Sequence, residues 1–179
     1  MIVLVTRHGC TNYNDLGLCN ADPEIDVHLT SEGVEQAKAL KDKLTKYDSE
    51  KVYVSDLPRT LETANCCVPN LNIPIVRDSR LSDIKTGFEG RPVRDFLKFI
   101  EPDHFVLKAP GGESFHEEKI RVYSFIEGLK KTGDECILIV THMDPAKIIA
   151  GYFQKLTDSE VWNLDIPNCT LLEFRMKVD

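Results

Sequence analysis

Long apolar runs are missing from this 179-residue sequence: none reaches the ~20 residues that cross a membrane. The N-terminus also lacks a basic segment followed by an apolar core, the pattern of a secretory signal. Basic residues are few, because 22 Lys and Arg stand against 29 Asp and Glu, for a net charge of −7. We therefore expect a soluble cytoplasmic protein that binds neither membranes nor nucleic acid, since both partners require a basic face.

Disulfide and metal patterns are missing as well. The six cysteines show no CxxC spacing, and Cys66 and Cys67 are adjacent, which is unusual in a disulfide framework. The histidines His28, His104 and His116 have no mutual spacing suited to zinc. We therefore expect reduced thiols and no bound metal.

Repeats, linkers and low-complexity tracts are absent too, so a single domain over residues 1–179 is the simplest prediction. Apolar and β-branched runs predict strands at residues 1–5, 51–55, 73–76, 136–140 and 170–176. Three- and four-residue apolar spacings and capping residues predict helices at residues 30–47, 58–67, 91–100, 114–131 and 145–154, and a short one from residue 157. Strands that alternate with helices favour an α/β sandwich with a mostly parallel sheet.

Basic side chains follow three of the predicted strands. Arg7 and His8 end the first strand, and we expect Gly9 to let the backbone turn sharply after them. Arg59 lies in the first turn of the helix after the second strand, and His142 follows the central strand. Because ligands bind at the carboxyl edge of such sheets, these four side chains are predicted to share one site.

Phosphoryl chemistry suits this set of side chains. A guanidinium offers a planar fork that matches phosphate oxygens. A neutral histidine can attack phosphorus and form a phosphohistidine, and neighbouring positive charges keep it neutral. The remaining requirement is a carboxyl group that protonates the departing alkoxide. The candidates for this acid are Asp83, Glu89 and Glu113.

Further motifs accompany these residues in order over residues 3–142. They are Thr11 and Asn14, Asp26, Leu29-Thr30, Gly33, Gln36-Ala37, Ser55-Asp56-Leu57, Arg59-Thr60, Thr63-Ala64, Gly87 to Gly90, Gly111-Gly112-Glu113-Ser114 and Val140-Thr141-His142. Together with Arg7-His8-Gly9 they resemble the histidine phosphatase superfamily, the phosphoglycerate mutase-like proteins. The resemblance extends over most of the chain.

The resemblance implies a fold and a set of roles. The fold would be a three-layer α/β/α sandwich with a mostly parallel sheet. His8 would be the residue that is phosphorylated. Arg7, Arg59 and His142 would hold the phosphoryl group, and Asn14 would line the same pocket.

The acid departs from the family pattern. The family usually carries a glutamate ahead of a Gly-x-Trp-Glu-Gly stretch, whereas this chain has Asp83 and then Gly87-Phe88-Glu89-Gly90, which is one residue shorter. An aspartate reaches about one methylene less. Either the loop that carries Asp83 comes closer to the site, or the role passes to Glu89 or Glu113.

The segment after His142 also departs from the pattern, because Met143-Asp144-Pro145 stands where small glycine-rich residues are common. In another branch of the superfamily, an aspartate directly after this histidine is the acid. Here Met143 intervenes, so Asp144 matches that role poorly.

Three functions follow from the resemblance. The first is metal-independent hydrolysis of a small phosphorylated metabolite, which the short chain favours. The second is a phosphoglycerate mutase whose His8 is primed by 2,3-bisphosphoglycerate. The third is a phospholigand-binding protein that has lost turnover, for which the missing glutamate is the support.

Overall fold

The structure is a computed structural model that describes residues 1–68 and 72–177. Within these ranges the strands are β1 Ile2–Arg7, β2 Lys51–Val54, β3 Ile75–Arg77, β4 Cys136–Thr141 and β5 Leu171–Arg175. The helices are α1 Asn12–Leu16, α2 Ser31–Leu44, α3 Pro58–Cys67, α4 Val93–Ile100, α5 Phe115–Leu129, α6 Met143–Gln154 and α7 Asp158–Trp162. A 3-10 turn at Ser79–Leu81 precedes the Asp83 loop.

The strands form one sheet in the order β3-β2-β4-β1-β5. The pairs β2–β3, β2–β4 and β1–β4 are parallel, and β5 alone runs antiparallel, beside β1. This confirms the predicted mostly parallel sheet. The central strand β4 is buried along its whole length because helices cover both faces of the sheet.

Alternate side chains of the central strands enter two different cores. Val3 and Val5 of β1 pack with α5 and α6, for example with Phe125 and Ile149. Leu4, which points the opposite way, packs in the core formed with α2 and α3. The result is the three-layer α/β/α sandwich that the resemblance implied.

Most predicted elements are confirmed within a few residues. The predicted third strand is displaced to Ile75–Arg77, although it does lie at a sheet edge. Helix α1 is not among the predicted helices. Thr11 caps its start in a capping box with Asn14, and Gly17, with a φ of 63°, caps its end.

Gly9 matters for a different reason from the one predicted. Its φ is not positive, so it makes no left-handed turn. A Cβ on Gly9 would instead lie 2.4 Å from the carbonyl oxygen of Gly33, and a Cβ on Gly33 would lie 2.1 Å from that of Cys10. The two glycines let the start of α2 pack directly against the turn that follows β1.

No helix within the described ranges is long and apolar enough to span a membrane. The six cysteines all carry free thiols.

Candidate active site

A cavity of about 380 Å³ opens at the carboxyl edge of the sheet. Its polar wall contains Arg7, His8, Asn14, Arg59 and Asp83. Parallel pairing accounts for the positions of Arg7 and His8, because β1 and β4 end side by side, with Arg7 opposite Thr141. His142 follows directly, and its ring centroid lies 5.1 Å from that of His8.

His8 is held in one tautomer. The ring Nδ1 lies 2.7 Å from the carbonyl oxygen of Gly9, which can only accept, so Nδ1 carries the proton. Nε2 is therefore unprotonated, and its lone pair accepts a hydrogen bond from Arg59 Nε at 3.2 Å. Burial, followed by the charges of Arg59 and Arg7, lowers the pKa of His8 well below its ordinary value. His8 is therefore neutral at physiological pH.

Arg59 is the most densely bonded side chain of the cavity. Besides its contact with His8, it donates from NH1 to Asn20 Oδ1 at 2.7 Å and from NH2 to the Asn20 carbonyl at 3.0 Å. NH2 also donates to Asp83 Oδ2 at 3.1 Å. The guanidinium is thus fixed between the nucleophile candidate and a carboxylate.

Arg7 and His142 each keep one buried nitrogen free. Arg7 NH1 donates to the carbonyl of Ile166 at 3.1 Å, but its Nε has no partner among the described residues. His142 Nε2 forms a 2.8 Å hydrogen bond with Ser55 Oγ, and within the described ranges its Nδ1 has no partner. Unpartnered buried polar atoms are uncommon in proteins. Of the four that the described residues contain, these two belong to side chains grouped around His8, and the others are His104 Nδ1 and Glu118 Oε2.

Asp83 faces this cationic group. Its Oδ2 lies 3.8 Å from His142 Nδ1 in addition to the contact with Arg59, and its side chain is 27% exposed. Burial, together with the charge of nearby Asp144, raises its pKa to about 6 against the opposing charge of Arg59. Asp83 can therefore exchange a proton near neutral pH.

The other predicted site residues lie in different places. Asn14 lines the cavity, and its Oδ1 accepts from the backbone N–H of Thr11 at 3.1 Å. Asp144 also lines the cavity, from the first turn of α6. Glu89 is not among the lining residues, and its Oε2 accepts from the backbone N–H of Ala21 at 2.8 Å.

Glu113 borders a neighbouring cavity instead. Its carboxylate accepts from Arg121 at 2.6 and 3.0 Å and from the backbone N–H of Lys85 at 3.1 Å. The two loops that carry Lys85 and Glu113 are thereby joined.

Several side chains that support the site were not predicted from the sequence as site residues. Asn20 lies in a loop without periodicity, and nothing in the sequence marks it as the partner of Arg59. Ser55 and Thr63 do stand in the family motifs, and Thr63 Oγ1 accepts from the backbone N–H of Gly9 at 3.0 Å. The family motifs are therefore the sequence feature that could have indicated that Ser55 lies beside His142 and Thr63 beside the residue after His8.

The remainder of the cavity wall is largely apolar. It is formed by Leu18, Ile84, Val93, Phe96, Leu97, Met143 and Trp162. Lys147 lies among them, 3.6 Å from Asp144. In the part of the chain that the structure describes, no group of three or more His, Cys, Asp or Glu side chains is arranged to hold a metal ion.

Known proteins share both the sequence pattern and the fold. The chain is 25% identical over 177 residues to a 2,3-bisphosphoglycerate-dependent phosphoglycerate mutase of Thermoplasma acidophilum, covering 95% of this chain and 84% of the mutase. It is 25% identical over 185 residues to phosphoserine phosphatase 1 of Hydrogenobacter thermophilus, covering 98% and 86%.

The fold matches that of an α-ribazole phosphatase from Shigella flexneri with a TM-score of 0.89, at 23% identity, over 99% of this chain and 91% of that one. The sequence model of the histidine phosphatase superfamily (branch 1) matches residues 3–179, nearly the whole chain. This chain therefore belongs to the histidine phosphatase superfamily.

Proposed function

We propose that this protein hydrolyses small phosphomonoesters through a phosphohistidine at His8. The observation that carries the proposal is the fixed tautomer of His8, whose buried Nε2 is unprotonated and accepts a hydrogen bond from Arg59. A neutral imidazole nitrogen next to guanidinium groups is what attack on an anionic phosphorus requires. The relatives support this proposal, since they include a phosphoserine phosphatase.

In the proposed reaction Arg7, Arg59 and His142 hold the phosphoryl oxygens. The free nitrogens Arg7 Nε and His142 Nδ1 suit that role because a bound phosphoryl group would give each a partner. Asn14 lines the same cavity and completes the proposed phosphate site. Electrostatic stabilisation by such fixed groups supplies much of the catalytic effect in phosphoryl transfer.

Asp83 is the proposed general acid. Its carboxyl borders the cavity that contains His8, whereas Glu89 and Glu113 are absent from that lining. A phosphoryl dianion between Arg59 and His142 would raise the pKa of Asp83 further by like-charge repulsion, which favours the protonated form.

The cycle has two displacements. His8 Nε2 attacks phosphorus, the P–O bond to the alcohol breaks, and Asp83 gives its proton to the leaving oxygen. Asp83, now a carboxylate, takes a proton from water, which attacks phosphorus and breaks the P–N bond. Phosphate leaves, and both side chains return to their starting states. We propose that residues 1–179 perform this cycle as one domain in a reducing cytoplasm, without a metal.

A mutase is the second candidate, because the Thermoplasma relative is named as one. It would use the same side chains but would exclude water and take its phosphoryl group from 2,3-bisphosphoglycerate. Purified protein should be assayed for phosphate release from sugar phosphates, nucleotides and phosphoglycerates, and for mutase activity with and without that primer. We expect phosphate release that needs no primer and survives chelator.

The same preparation tests the phosphohistidine. A radiolabelled ester, quenched rapidly, should leave acid-labile label on the protein but not on a His8→Ala variant that melts at the same temperature. A phospholigand-binding protein without turnover would bind the ester and show no label. Labelling of His8→Ala at the normal level would overturn the proposed mechanism.

A further inference from the structure

The segment 80–83, which ends in the proposed acid, is held by its backbone carbonyls. The buried hydroxyl of Thr141 donates to the carbonyl of Leu81 at 2.6 Å. Thr141 ends β4 and directly precedes His142 in the chain. The segment is thereby tied to the strand that also carries a proposed phosphate ligand.

Arg121 of α5 holds the other three carbonyls of the segment. Its NH1 donates to the carbonyls of Arg80 and Ser82, both at 2.8 Å, and its NH2 donates to that of Asp83 at 3.3 Å. Four consecutive carbonyl oxygens therefore accept from just two side chains. Arg121 is itself fixed by carboxylates, Glu113 at 2.6 and 3.0 Å and Glu118 at 3.2 Å.

A guanidinium is suited to this arrangement and an ammonium is not. Arg121 presents N–H groups in a rigid plane, so it can reach the carboxylates on one side and the carbonyls on the other at the same time. A lysine has three donors on one flexible atom and cannot span both sets. The contact thus requires the shape of arginine, whereas charge alone would suffice for an ordinary ion pair.

We propose that Arg121, assisted by Thr141, is a positioning residue that holds Asp83 close enough to protonate the leaving group. The inference rests on the proposed function, in which Asp83 is the acid. It also offers a reason why an aspartate could serve where the family usually has a longer glutamate: the backbone of the acid loop is fixed by hydrogen bonds to α5 and β4. Arg121 acts through Asp83 and makes no contact with substrate.

The proposal is tested by the ratio of kcat/KM for an alkyl phosphate to kcat/KM for an aryl phosphate. An alkyl phosphate needs a proton on its leaving oxygen, whereas p-nitrophenolate leaves readily without one. The measurement is kcat/KM, which reports the steps through breakage of the P–O bond. Arg121→Lys should lower kcat/KM for glycerol phosphate about 10- to 100-fold, a typical effect of a misplaced catalytic group. It should lower kcat/KM for p-nitrophenyl phosphate less than about threefold.

Lys119→Gln is the matched control. It removes a positive charge from the same helix, but Lys119 pairs with Asp158 and does not contact the acid loop. Both rates should stay at the wild-type level in this variant. If Arg121→Lys fails to fold, Thr141→Val is the second variant, because it removes the hydrogen bond to Leu81 with little change in shape. Its ratio of alkyl to aryl kcat/KM should also fall, by a smaller factor.

Asp83→Asn separates this proposal from the proposed function. If Asp83→Asn lowers the alkyl-to-aryl ratio and the Arg121→Lys variant, folded, does not, the positioning role is overturned while the acid assignment stands. An equal loss on both substrates in Arg121→Lys also overturns it, since that indicates a general structural effect. If Asp83→Asn leaves the ratio unchanged, the acid assignment itself fails.

Discussion

The two sides of the cavity are built differently. On the side proposed to bind the phosphoryl group, here called the phosphoryl side, Arg7, His8 and His142 come from adjacent parallel strand ends, and His8 is only 3% exposed. On the side proposed to meet the leaving group, here called the leaving-group side, Asp83 stands on a loop, and Leu97 of α4 is 43% exposed. Strand pairing fixes the first side, whereas the second depends on side chains that hold loops. The proposed nucleophile is thus on the rigid side, whereas the proposed acid and the groups proposed to meet the variable part of a substrate are on the adaptable side.

The same contrast extends to electrostatics. Burial and neighbouring arginines lower the pKa of His8, whereas burial raises that of Asp83 to about 6. One cavity therefore keeps its proposed nucleophile unprotonated and its proposed acid able to carry a proton. Two groups whose pKa values are shifted in opposite directions are typical of an acid–nucleophile pair.

The largest effect should come from the phosphoryl side. Arg59→Met removes the guanidinium that contacts His8, Asn20 and Asp83, and we expect kcat/KM to fall about 10³-fold for alkyl and aryl phosphates alike. Arg59→Lys keeps the charge without the fork and should fall between this variant and the wild type. Arg94→Met, whose side chain is 86% exposed, is the control. A loss below tenfold in Arg59→Met would contradict the phosphate role.

The second variant, Asp83→Asn, tests the leaving-group side through the pH dependence of kcat/KM. As the proposed acid, Asp83 must be protonated to act, so kcat/KM for an alkyl phosphate should fall as pH rises through about 6. Asp83→Asn should lower kcat/KM about 10²-fold at pH 6 and remove the part of that decline that belongs to Asp83. The ester also titrates near pH 6, and its contribution remains visible in the variant. An unchanged profile in Asp83→Asn would exclude it as the acid.

The sequence predicts the rigid side better than the adaptable one. Apolar periodicity locates the strands, and parallel pairing brings Arg7, His8 and His142 to one edge. Asn20 and Arg121 could not be found in this way, because their contacts depend on the path of loops between distant segments. No periodic pattern records such a path.

Backbone packing on the phosphoryl side is the target of a third variant. In Gly33→Ala the new methyl would lie 2.1 Å from the Cys10 carbonyl, so the start of α2 must move away from the turn after His8. We expect a loss of about 1–3 kcal/mol in the free energy of unfolding, measured in urea, together with lower activity. Gly128→Ala is the matched control. A Cβ at Gly128 would have its nearest neighbour 3.9 Å away, and helix propensity predicts equal or slightly higher stability. Equal stabilities for the two variants would contradict the close-packing argument.

The smallest effect should come from the apolar wall of the leaving-group side. Leu97 lines the cavity while half-exposed, so Leu97→Ser removes only part of a full apolar contact, worth about 1 kcal/mol. That corresponds to an increase in KM of about fivefold for esters with a bulky apolar alcohol and to no change for glycerol phosphate. Val106→Ser alters an exposed side chain outside the cavity lining and should change neither value. If Leu97→Ser raised KM equally for both esters, Leu97 would act through the phosphoryl side. The division of the cavity into a rigid and an adaptable side would then be wrong. A higher KM for the bulky apolar ester alone would instead indicate that Leu97 of α4 contributes to substrate selectivity, separately from the side chains proposed to perform the chemistry.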